Sequence, residues 1–343
     1  MQFLDLPPEL IYIVIKKLDP VDHYFLNLTC CYLDTGKTMV PETSFTSNLS
    51  RFKFGIKHGF IRPSVSLPFH AIYNDNLECL KYTFEIGCVK SPQLLVYCAK
   101  LNRQRICDYL LTIDELSSRF SNHESSAVFM QKIFDAAAYN DNLEFLEYLT
   151  AKGIDICVET INAAAKGNSL RCVQYVESLI PDCYETYFDE LMCIGDYAAS
   201  SGNIEMIRHF HDKGHQFDFD DSYGAIEGDH VECFRYVVSL CNEERINFRS
   251  HSLFFRVLNN DSVKIFRYID QISGIDYNLK MLNDIISDDR VKIFQYIYDE
   301  NKYDLGTVIS PYNESNSKIF RFLNKHNSPL ICDLNDLLDR MPV

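Results

Sequence analysis

The sequence predicts an all-α fold built from stacked helix–turn–helix units. Three observations lead there. A nine-residue motif recurs along the chain, its apolar positions follow a helical period, and small or apolar segments precede most copies.

The clearest copies are NDNLECLKY (74–82), NDNLEFLEY (140–148), GNSLRCVQY (167–175), SGNIEMIRH (201–209), GDHVECFRY (228–236), NDSVKIFRY (260–268) and DDRVKIFQY (288–296). LNRQRICDY (101–109) and ESNSKIFRF (314–322) fit the same frame more loosely. The closing rings stand 26 to 39 residues apart, so the connecting loops vary while the unit persists.

Each column of the motif carries a physical instruction. The second position holds Asp75, Asn102, Asp141, Asn168, Gly202, Asp229, Asp261, Asp289 and Ser315. Gly, Asn and Asp tolerate left-handed backbone best, so the column predicts a tight turn between two helices. The fifth position is always charged, from Glu78 to Lys318, and the eighth always polar, from Lys81 to Arg321. Spaced i, i+3, they share one helix face and are expected to point to water. The sixth, seventh and ninth positions, such as Phe145, Leu146 and Tyr148, form the expected buried stripe. Upstream, Ala136–Ala138, Ala163–Ala165, Ala198–Ala199 and Ala225–Ile226 would let a first helix approach its neighbours closely. One such pair cannot bury both apolar faces alone, so the units must stack.

The best copy, AAAYNDNLEFLEYLTAKGID (136–155), resembles the ankyrin repeat, and ASSGNIEMIRHFHDKGHQFD (199–218) is similar. The family's helix-opening T-P-L-H is nearly absent, with LPFHA (67–71) nearest, and unit lengths depart from the family's. The resemblance covers residues 66–324, about nine degenerate units, and implies a curved solenoid that holds protein partners on its first helices and loop tips. Residues 41–65 read as a junction with a short helix near Asn48–Lys57, Thr112–Ala127 as an exposed loop, and 325–343 as a terminal cap or tail.

Residues 1–40 do not fit the repeat. Pro7 and Pro8 suit a helix's first turn, Leu10, Ile11, Val14, Ile15 and Leu18 recur at helical spacing, and Asp19-Pro20 ends the helix. The segment resembles the start of an F-box, matching at Leu6, Pro7, Glu9, Leu10, Ile15, Leu18, Pro20 and Asp22. That resemblance implies docking onto the linker subunit of an SCF-type ubiquitin ligase. The family's later Trp is missing, with Tyr32 nearest. The same residues also suit an amphipathic cap on the open end of a solenoid.

Composition sets the excluded classes. With 47% hydrophobic residues the chain can bury a large core. A net charge of -15 repels phosphate backbones, so nucleic acid is not an expected partner. No apolar run approaches the ~18 residues of a membrane span. Thirteen cysteines, an odd number and never as C-x-x-C, read as reduced and mostly buried thiols of a cytoplasmic protein. The N-terminus has acidic residues and no basic stretch of a secretory signal. Irregular repeats behind an F-box-like segment, with richness in Ile, Asn, Tyr and Phe, look like proteins of large DNA viruses of protists, which implies a host cytoplasm.

Catalytic signals are weak. DTGKT (34–38) ends like a phosphate loop but has Cys31 where the motif needs glycine. His209, His211 and His215 lie close in sequence, yet one falls in the ring column and two near the helix end, favouring a structural role over metal ligation. Cys79, Cys172 and Cys233 share one column, as packing residues do. The expectation is a monomeric protein-binding adaptor with no catalytic, cofactor-binding or metal residues. A scaffold or decoy without a ligase link is the alternative, and an enzyme with an unrecognised site the weakest reading. Target-binding residues are not identified by the sequence; Tyr73, Tyr139, Lys166 and Glu227 lie near the turns.

Overall fold

A computed structural model describes residues 45–57, 61–113, 123–187, 189–241, 251–275, 277–300, 302 and 318–325. Among the described residues the chain is all-helical, with no strand. It divides into two compact units, Met1–Cys157 and Val158–Val343.

The first unit contains α1 (Leu49–Lys57), α2 (Ser66–Tyr73), α3 (Leu77–Glu85), α4 (Gln93–Lys100), α5 (Gln104–Leu111), α6 (His123–Tyr139) and α7 (Leu143–Ala151). The pairs α2–α3, α4–α5 and α6–α7 are the expected helix–turn–helix elements, and their first helices pack in the order α2, α4, α6. Helix α1 lies on α3, where the ring of Phe52 meets Tyr82 edge-on at 5.3 Å.

The second unit contains α8 (Thr160–Lys166), α9 (Leu170–Leu179), the short α10 (Cys183–Thr186), α11 (Ile194–Ser200), α12 (Ile204–Asp212), α13 (Ser222–Glu227) and α14 (Val231–Leu240). It continues with α15 (His251–Asn259), α16 (Val263–Ser273), α17 (Leu279–Ser287), α18 (Val291–Asp299) and α19 (Lys318–Lys325). First helices pack as a row, α8, α11, α13, α15, and second helices as another, α12, α14, α16, α18, α19.

The turn column behaves as its residue types require. Asp75, Asn102, Asp141, Asn168, Gly202, Asp229, Asp261 and Asp289 all adopt positive φ, between 51° and 75°. At seven of these turns two hydrogen bonds close the first helix. At the first, Asp75 N donates to Ile72 O and Asn76 N to Ala71 O, and the pattern recurs through Asp289 and Arg290. These bonds satisfy carbonyls that a helix end would otherwise leave open.

The sixth and seventh columns form the core. Cys79, Leu80, Phe145, Leu146, Met206, Ile207, Ile265, Phe266 and Ile293 have no exposed surface. The small residues ahead of the turns do the expected work, with Ala137, Ala138, Ala164, Ala165, Ala198 and Ala199 also fully buried. Between α11 and α13 the backbones come closer still. A β-carbon on Gly224 would stand 2.0 Å from the Asp196 carbonyl oxygen, so only glycine fits.

The eighth column is exposed as expected at every position but Lys81, which is intermediate, and four of its cations also lie over rings of the next pair. Two expectations are corrected. The ninth-column rings are half-buried, with Tyr296 (5% exposed) the buried exception among those described. A phenol tip needs water or a partner, so the ring sits at the edge of the stack. The segment Thr112–Ala127 is not loop throughout, because α6 starts at His123 and runs for 17 residues. The segments 1–40 and 325–343 lie outside the described residues, apart from Lys325 at the end of α19.

Candidate binding surface

Two kinds of surface emerge from this framework: the seams between second helices, which repeat, and the outer faces of the first helices, which do not.

On the second helices, a fifth-column acid pairs with the eighth-column cation of its own helix. Glu78 meets Lys81 at 2.9 Å, Glu205 meets Arg208 at 2.6 Å, and Glu232 meets Arg235 at 3.2 Å. The eighth-column cation also covers the ninth-column ring of the following pair, with or without such an acid. Lys81 lies over Tyr109, Arg208 over Tyr236, Arg235 over Tyr268 and Arg267 over Tyr296, at 5.0 to 5.6 Å. Where the eighth residue is Asp108, the Tyr148 hydroxyl donates to it at 2.7 Å instead. The Lys152 ammonium at 2.8 Å, and then that bond, hold the Asp108 carboxyl below its ordinary range.

The turn residues add a second link. Asp229 accepts from the backbone amides of Lys264 and Ile265, Asp261 from Lys292 and Ile293, and Asp289 from Lys318 and Ile319, at 2.8 to 3.2 Å. Each carboxylate thus sits in one turn and caps the second helix of the next pair. In the opposite direction, Arg103, Asn142 and Ser262 donate to carbonyls that end the preceding first helix. All of these side chains serve the framework.

The outer faces of the first helices differ from pair to pair. Their last residues are Tyr73, Lys100, Tyr139, Lys166, Ser200, Glu227, Asn259 and Ser287. One helical turn earlier stand Phe69, Val96, Asp135, Asn162, Asp196, Tyr223, Phe255 and Asn283. In the first unit Tyr73 is 55% and Tyr139 50% exposed, and Phe69 packs edge-on against Tyr97. In the second unit Lys166 lies 5.6 Å from the Tyr197 ring and Arg256 4.1 Å from that of Tyr223, with Phe255 exposed beside it. Burial raises the Asp196 carboxyl, and the charge of Glu227 adds to the rise.

The four residues singled out near the turns are therefore all first-helix termini, and all are exposed. Sequence reasoning missed Asp196, Tyr197, Tyr223 and Arg256 on the same row of first helices. Counting back three and four residues from each helix end would have found them, since those positions share a helix face. The F-box-like residues Leu6, Pro7, Glu9, Leu10, Ile15, Leu18, Pro20 and Asp22, with DTGKT, lie outside the described residues.

The three histidines do not converge on a common point. His209 Nε2 stands 2.8 Å from Glu177 Oε1, on the carboxylate that also accepts from the Tyr184 hydroxyl. Burial pushes Glu177 up, but these bonds and the Lys213 ammonium leave it below the ordinary range. His215 and His211 flank the Phe217 ring edge-on, beside a cavity of about 460 Å³ lined by the end of α12, the loop after it and the end of α14. The Cys241 thiol on that cavity donates to the Val237 carbonyl at 3.2 Å. Among the described residues no group of three His, Cys, Asp or Glu side chains gathers as a metal site. The column cysteines Cys79, Cys172 and Cys233 are core residues, and burial raises the thiols of Cys79 and Cys233 to about 11. No helix among the described residues is long and apolar enough to cross a membrane. Comparison with protein-family models gave no match, and comparison with curated proteins gave none either.

Proposed function

We propose that the chain is a protein-binding module, an ankyrin-like solenoid whose first helices recruit a target, with residues 1–40 joining it to an SCF-type ubiquitin ligase. The observation that carries the binding reading is the contrast between columns. Turn, core and seam positions repeat from pair to pair, whereas first-helix positions change from ring to cation to acid. A surface that varies on a repeated scaffold is where specificity resides. Exposed rings beside long charged side chains supply contact area and charge selectivity together. The ligase link rests on the match at Leu6, Pro7, Glu9, Leu10, Ile15, Leu18, Pro20 and Asp22.

Capture experiments with the full chain test both halves. The ligase linker subunit is expected to co-purify with the wild type and to be lost with Leu10→Ala/Ile15→Ala. Absence of linker binding by the intact chain would reject the ligase link and leave a scaffold. Target capture from host lysate is expected to fall with Tyr73→Ala/Tyr139→Ala or Tyr223→Ala/Arg256→Ala. Capture unchanged in both pairs would reject the first-helix surface.

A further inference from the structure

The second helices of the second unit carry a charge asymmetry that the binding surface above does not use. In α12 and α14 the fifth-column residue is an acid, Glu205 or Glu232, and it pairs with the arginine three residues on. From α16 onward the fifth column turns to lysine: Lys264, Lys292 and Lys318. The eighth column there holds Arg267, Gln295 and Arg321. All six side chains are exposed, on helices that pack successively as α16, α18 and α19. Lys264, Arg267, Lys292 and Lys318 make no ion pair among the described residues, and Arg267 faces the Tyr296 ring. The Asp229, Asp261 and Asp289 carboxylates of the preceding turns accept the backbone amides of these lysines and form no ion pair with their ammonium groups. A chain of net charge -15 thus presents a strip of four cations, Lys264, Arg267, Lys292 and Lys318, along successive second helices with no ion pair among the described residues.

We infer that this strip is a second docking surface, and that its occupant is an acidic segment of a partner protein. The spacing suits such a segment. Cations three residues apart on one helix have β-carbons about 5–6 Å apart, and packed helices stand about 8–10 Å apart. Same-side carboxylates of an extended chain recur every ~7 Å, within reach of lysine and arginine stems on all three helices. A short segment places its charges only where the cations stand. A nucleic acid carries phosphates continuously, about one per 3.4 Å of each strand, and would run onto the acidic remainder of the chain. The strip is on second helices, so this inference stands apart from the first-helix surface.

Fluorescence anisotropy with the full chain and a labelled glutamate-rich peptide tests it. The peptide is expected to bind at ~0.05 M salt and to weaken steeply by ~0.3 M. Lys264→Glu/Lys292→Glu/Lys318→Glu is expected to reduce affinity at least about tenfold. Lys81→Glu, on a paired face in the first unit, is expected to change it by less than about twofold. Circular dichroism checks that each variant is folded. Four results would overturn the inference: no peptide binding by the wild type, undiminished binding by the folded triple variant, equal binding of the glutamine version of the peptide, or tighter binding of a single-stranded oligonucleotide of equal charge.

Discussion

Asp261 offers the most direct trial of how the helix pairs are joined. Its backbone is left-handed, at φ 51°, and its two carboxylate oxygens accept the amides of Lys292 and Ile293, each at 3.0 Å. Asp261→Ala removes both acceptors, a cap loss of about 1–2 kcal/mol. It also places alanine in left-handed backbone without a polar side chain to compensate, roughly 1 kcal/mol more. The total is about 2–3 kcal/mol. Asp261→Gly relieves the backbone strain but not the lost cap, leaving about 1–2 kcal/mol. Asp261→Asn keeps the left-handed tolerance and one acceptor, for about 0.5–1 kcal/mol. Urea unfolding followed by circular dichroism gives the order, and hydrogen exchange at Lys292 and Ile293 gives the location. Protection at those amides is expected to fall in the Ala and Gly variants and largely survive in Asn. Equal costs for Ala and Asn, or unchanged protection in Ala, would refute the capping argument.

Two further outcomes follow from the same seams. A double-mutant cycle on Arg235→Ala and Tyr268→Leu is expected to show coupling of about 0.5–1 kcal/mol, and coupling indistinguishable from zero would return Arg235 to plain solvent exposure. At Asp270 burial pushes the carboxyl up, but the Ile275 amide, the Tyr296 hydroxyl and the Lys302 ammonium together hold it below its ordinary range. A lowered folded-state pKa contributes stability above the unfolded value of about 3.9 that is lost as pH falls through the folded value. Asp270→Asn is therefore expected to be less stable than the wild type at neutral pH, with the gap closing in acid, and a gap independent of pH in urea melts would contradict this.

The parts legible in the sequence are those where one position suffices. Positive φ restricts residue type so strongly that the Asp, Asn and Gly column announced the eight described turns that join a first helix to its second. Helical period separated the core pair, such as Phe145 and Leu146, from the charged faces. Contacts between pairs were hidden, because the residues involved lie 26 to 43 positions apart and each has an innocent local reading. Arg235 reads as a solvated cation until Tyr268 is placed beside it, and Asp261 reads as a turn residue until Ile293 is. The start of α6 at His123 was missed because the polar run SSRFSNHESS reads as loop. On the first helices, the four residues at the ends were legible and their neighbours one turn back were not, since no repeating residue type marks a surface that differs in every pair.

The glycine at position 202 gives the second unit an uneven grain. Every other member of that column described here has a side chain that can reach across its seam, and three of them fasten the following second helix by its amides. Gly202 has none, and at its turn Asn203 N bonds to the Ser201 hydroxyl rather than to the first helix. The pairs from Asp229 onward are tied amide by amide. At the seam between α12 and α14 the His230 ring of the next pair sits where a side chain on position 202 would stand, a β-carbon there coming within 2.6 Å of it. Arg208 lies on Tyr236, and α11 and α13 make the close approach at Gly224. One column thus joins neighbouring pairs in two ways, by a carboxylate that reaches out or by a bare turn that takes in a ring.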